Sequence, residues 1–118
     1  MISSMLPQNL DAVVVADNPD CIRASAFSAA CQLHREKGAS VILSMGTRDR
    51  NRIGLMSDAL GAAALGIDGI LCVAGHHQSL GVCPQAASAN DMDSIQFAHA
   101  LKRLILYGTG MDGKELHP

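Results

Sequence analysis

Ser40–Ala74 reads SVILSMGTRDRNRIGLMSDALGAAALGIDGILCVA, and the order of its parts decides the fold. Ser40–Met45 (SVILSM) and Gly69–Ala74 (GILCVA) are short runs rich in Val, Ile and Leu that do not alternate with polar residues. A strand buried on both faces, as in a parallel sheet under helices, reads this way. Between them Ile53, Met56, Leu60, Ala63 and Ala64 fall at helical spacing. That helix is expected to begin near Thr47 or Asp49 and to stop at Gly66, a C-capping glycine. The stretch is therefore strand, helix, strand.

Working outward, Ala12–Ala16 (AVVVA) is a third apolar run, and the three runs start about 28 residues apart, close to the size of one strand-helix unit. The first helix is expected to start with Asn18 as N-cap and Pro19 at the first helical position, where a missing N–H costs nothing. Its apolar stripe is Ile22, Ala26, Ala29, Ala30 and Leu33, and Lys37-Gly38 ends it. A third helix should run from about Asp91 to Tyr107, with Ile95, Ala98, Leu101, Leu104 and Ile105 inward and Gly108 as its stop. The expected fold is α/β: three consecutive βα units over residues 1–118 as a single domain, with a parallel sheet and right-handed crossovers. Periodicity alone leaves open whether this is a small open sheet or a sector of a closed barrel. A nucleotide-binding doubly wound domain would carry a glycine fingerprint after its first strand. Here that turn is Asp17-Asn18-Pro19-Asp20. The long connection Gly75–Asn90 (GHHQSLGVCPQAASAN) leaves the third strand, the place where α/β proteins put ligand chemistry. The tail from Thr109 to Pro118 reads as a surface turn.

Composition narrows the function classes. A net charge of −2 offers no basic surface for nucleic acid. No apolar run approaches the roughly 18 residues needed to span a bilayer, and MISSMLPQNLDAVVV lacks the basic start of a secretory signal. Cys21, Cys31, Cys72 and Cys83 form no C-x-x-C pair, so reduced, mostly buried thiols in a cytoplasmic protein are expected.

Three turns carry residues with chemistry. Gly46-Thr47-Arg48-Asp49-Arg50-Asn51-Arg52 places arginines at a helix start, where they and the free backbone N–H groups could hold an anion. The competing reading is an N-cap with ion pairs along the first turn; either way, neighbouring acids, a partner or a ligand must offset cations at the positive end of the helix dipole. Ala74-Gly75-His76-His77 offers imidazoles for acid-base work, but adjacent residues on extended chain face opposite ways, which disfavours a shared metal. Gly75 supplies backbone freedom where the chain leaves the strand. Asp17-Asn18 reads as structural capping. No Ser/His/Asp or Cys/His nucleophile can be assembled, so catalytic residues stay unassigned.

The run from Thr47 to Ile67 (TRDRNRIGLMSDALGAAALGI) resembles a strand-to-helix segment of methylenetetrahydrofolate reductase-like proteins. Gly69–Gly75 (GILCVAG), His77–Gly81, Asp91–Gln96 and Asp112–Leu116 continue that resemblance in order. It implies a (β/α)8 TIM barrel, of which this chain is a partial, three-unit piece, with FAD at the carboxyl ends of the strands. Hydride in that family passes from a nicotinamide cofactor through the flavin to a folate-type substrate. The resemblance puts FAD across Ala16, Ser44, Gly46, Ala74, Gly75 and His76. It also implies that the strand carrying the family's catalytic glutamate precedes Met1. Departures stand out: Ala16 replaces a Thr, Ser44 a His or Gln, and Gly46-Thr47 a Thr-Cys pair. Gly75-His76 stands where a Gly-Asp signature flanks the flavin, exchanging a carboxylate for an imidazole. A degenerate, non-catalytic module that binds a partner chain or a pterin or nucleotide is the alternative. Because a three-stranded parallel sheet has unpaired edges, self-association or a complementary chain is expected on either reading.

Overall fold

A computed structural model describes residues 9–18 and 21–116. Strand β1 (Ala12–Val15) leads to helix α1 (Ala26–Lys37), β2 (Ser40–Gly46), α2 (Arg52–Ala64), β3 (Gly69–Val73) and α3 (Ser94–Tyr107). The sheet is parallel, in the order β1-β2-β3. Ala12 pairs with Ser40 and Ile42 with Gly69, so each strand meets the next one along the chain.

All three helices cover one face of this sheet. Val41, Leu43 and Met45 of β2 are buried with Ala30 and Leu33 of α1, Leu55 and Ala59 of α2, and Phe97 and Leu101 of α3. Val13, Val15, Ile70 and Cys72 pack against that cluster from the outer strands. The opposite face carries the alternate residues, and it is open: Val14 is 53% exposed and Leu71 46%. The expectation of strands buried on both faces is corrected here. Successive crossovers of the same hand, in sequential strand order, put every helix on one side. The molecule is accordingly a slab, 41 × 38 × 18 Å, thick enough for one helix layer on one sheet.

The helix starts also differ from the sequence reading. Asn18 has φ 38°, outside the extended region an N-cap needs, and its Oδ1 accepts the Arg23 N–H at 2.8 Å. That local turn delays α1 to Ser25, whose hydroxyl accepts from the Ser28 N–H. Ile22, expected in the stripe, is 75% exposed. Pro19 lies outside the described residues. Thr47 does not begin α2; its N–H extends the sheet to the Val73 carbonyl at 3.0 Å, and Asn51 is the N-cap. The buried face of α2 is Leu55, Met56, Ala59 and Ala62; of the expected stripe Met56 lies on it, while Ile53 is 77% exposed and Leu60, Ala63 and Ala64 fall off it. At Gly61 an added Cβ would lie 3.2 Å from Phe27 Cζ, so glycine lets α1 approach α2. Helix α3 starts at Ser94 rather than Asp91, behind an Asp93–Gln96 capping box, and buries Phe97, Ala100 and Leu101 while Ile95 and Ile105 stay outside. Gly38 and Gly108 end α1 and α3 in the left-handed conformation, as the sequence suggests. The four cysteines are free; three are partly buried, and Cys83 is exposed. In the tail, Thr109 and Glu115 pair across a turn. No helix among the described residues is long and apolar enough to cross a membrane.

Candidate functional site

The carboxyl ends of the three strands frame a cleft of about 340 Å3. Its floor is small because Ala16, Ser44, Gly46 and Val73 alternate onto the open face of the sheet. Gly75 and His76 close one side, and Asp17, Asn18, Arg48 and Asp49 the other. Five of the six positions singled out in the sequence therefore meet here. Ala74 does not line the cleft, because it follows Val73 by one residue and strand parity turns it away.

Ser44 is 6% exposed, and its hydroxyl is the one side-chain polar group among the small residues of the floor. It is a buried polar group on the cleft floor. The arginines beside it are paired. Arg48 donates from Nε and Nη2 to both Asp49 oxygens, at 2.7 and 2.8 Å. Its Nη2 also reaches the Asn18 carbonyl and its Nη1 the His76 carbonyl, each at 3.0 Å. The Arg48 guanidinium holds the Asp49 carboxyl below the usual carboxylate range, against a partial burial that pushes it up. Gly75, at φ 80°, holds a left-handed conformation that favours glycine, and its backbone packs beside the Arg48 side chain.

Asp17 is the buried node of the rim. Its side chain is 7% exposed, and its Oδ2 accepts from Arg50 Nη1 at 2.6 Å and from the Gly46 N–H at 2.8 Å. The second bond satisfies β2 just where β1 has ended. Hydrogen bonding to Asp17 raises the pKa of Arg50, which also lies 3.5 Å from Asp58. Arg52 is more exposed and holds Asp91 at 2.7 Å, tying the start of α2 to the approach to α3. Each arginine of the run is thus matched by acids, and for Arg50 and Arg52 the partners are Asp17 and Asp91, more than thirty residues away. The cost of cations at the helix start is met within the chain. Asp17, read from the sequence as a cap, is instead a cross-strand ligand for Arg50. No local spacing announces a contact of that range.

His76 is exposed, and His77 Nδ1 lies 2.7 Å from the Ser79 hydroxyl within the loop. Among the described residues no group of three His, Cys, Asp or Glu side chains is placed to hold a metal ion. A larger trough of about 830 Å3 runs between α2 and α3 above β3. Its lining is almost wholly apolar, with Asp68 and Lys102 as its charged members, so the smaller rim cleft is where polar groups converge.

No protein-family model matches this chain, and no curated protein or solved structure matches it.

Proposed function

We propose that this chain is a three-unit sector of a (β/α)8 barrel of the methylenetetrahydrofolate reductase type, contributing part of a flavin mouth to an oxidoreductase completed by other segments or chains. The observation that carries the reading is the convergence of Ala16, Ser44, Gly46, Gly75 and His76 on one cleft at the carboxyl ends of parallel strands. One-sided helix cover supports the barrel half of the proposal, because a barrel wall has helices outside and an inner face awaiting the other strands.

The fit to FAD is partial. At about 340 Å3 the cleft is near the lower end of small-molecule sites, room for one flat ring and not for a dinucleotide. Small side chains on its floor suit a planar ring, and the Ser44 hydroxyl can hydrogen-bond its edge. A pyrophosphate finds little here: Arg48 is engaged by Asp49 and two carbonyls, and the Gly46 N–H by Asp17. The phosphates of FAD would have to be held outside this chain, and no chemical step is assigned to its residues.

The same saturation favours a second reading, a non-catalytic barrel module. His76 adds to it, placing an imidazole where the family pattern has a carboxylate. Flavin titration separates the two. On the first reading FAD raises the melting temperature: ligand at a hundred times its Kd adds about 2.7 kcal/mol, or several degrees for a domain of this size. His76→Asp should increase that shift. An unchanged melting temperature in both proteins, with no flavin absorbance after purification, would leave the module reading.

A further inference from the structure

Between β3 and α3 the chain runs out over the rim and comes back. Gly75 at its start and Asn90 at its end both have positive φ, 80° and 39°. The second is a conformation that non-glycine residues seldom adopt. Both stems fasten to one residue. Arg48 Nη1 holds the His76 carbonyl at 3.0 Å, and the Arg48 carbonyl accepts the N–H groups of Ala89 and Asn90 at 2.7 and 3.3 Å. Between the stems the backbone bonds close within the segment, from Leu80 to His77 and from Ala86 to Cys83, each at 3.0 Å. Such a loop, with its ends together and its contacts internal, can move as a unit. Its middle presents apolar side chains to water: Leu80 is 77% exposed and Val82 63%. The cleft beside it is open over Ala16 and Val73.

We infer that residues 77–88 form a strap that swings between stems pinned at His76 and Ala89 and closes over the rim cleft, laying Leu80 and Val82 against a seated ligand and the small apolar floor. This rests on the reading of the cleft as a ligand mouth. Arg48 serves as the fixed pin, because its bonds to Asp49 and to the Asn18 carbonyl do not travel with the strap. Closure removes two apolar side chains and the cleft floor from water, and it strengthens polar contacts inside by excluding solvent.

Two experiments judge it. The first needs no ligand: Ala16→Cys is made together with Cys21→Ser, and the protein is equilibrated with oxidised glutathione. A strap that visits the closed position joins residue 16 to Cys83, identified by peptide mass spectrometry. If both thiols react with iodoacetamide yet no such link forms, the strap is refuted. The second uses FAD as the probe. Leu80→Ser with Val82→Ser should release FAD roughly tenfold faster, while the urea midpoint stays put because both side chains are already exposed. Equal release rates would overturn the strap and leave the flavin reading standing. If the parent chain takes up no FAD, the flavin reading falls, and the cross-link alone decides the strap.

Discussion

A carboxylate with 7% of its side chain exposed, 2.6 Å from a guanidinium and 2.8 Å from a backbone N–H, can be weakened in two ways. Asp17→Asn keeps an acceptor for Gly46 but leaves the half-buried Arg50 short of a counter-charge, for an expected loss of roughly 1–3 kcal/mol. Asp17→Ala removes both and should cost more. Arg52→Ala, at an exposed pair screened by solvent, should cost the least of the three. Urea denaturation gives the ranking, and an Arg52 variant as damaging as Asp17→Ala would contradict it. Acid should act through Asp49 and Asp91, whose pKa values the neighbouring arginines depress below the usual 3.8. A depressed carboxylate stabilises the fold above its unfolded pKa, and that stability is lost as pH falls through the folded value. The urea midpoint should therefore decline below about pH 4, and Asp49→Asn should make the decline shallower. Single residues are the least legible scale: Ser44, Gly46 and Gly75 enter the site only through the family resemblance, and the partners of Asp17 and Arg52 lie across loops that no local pattern connects.

Among the elements, strands were read most securely, since β-branched runs bounded by glycine and charge have few alternatives. Helix phase was harder. Helix α2 is apolar almost all round through GAAALGI, so two faces compete, and only packing against Leu43 and Met45 selects the one with Leu55 and Ala59. Leu55→Ala should accordingly cost about 2–5 kcal/mol, and Ile53→Ala within about 0.5 kcal/mol of nothing. Equal costs would mean that the phase is misassigned. Asp93→Ala removes the capping box of α3 and should cost about 1 kcal/mol, again by urea midpoint. The start of α1 was missed for a different reason: Asn18-Pro19 has the composition of a cap, but the Asn18 side chain bonds forward to Arg23 and forms a turn instead.

At the scale of the molecule, the repeat spacing made the parallel order readable, while the uncovered face was not, because spacing says nothing about what packs beyond the third strand. Among the described residues that face carries Val14, Ile42 and Leu71 without a charge, and the outer edges of β1 and β3 have no strand beside them. Sedimentation velocity at micromolar concentration should show self-association, or a complementary chain should capture the protein; a clean monomer would count against the barrel sector. The stepwise pairing of β1 with β2 and of β2 with β3 has one more consequence, for biosynthesis. Among the described residues, each strand pairs with the one made just before or just after it. A ribosome emitting this polypeptide exposes β1, α1 and β2 as a pairable unit before β3 has been translated, so native contacts can accumulate in the order of synthesis.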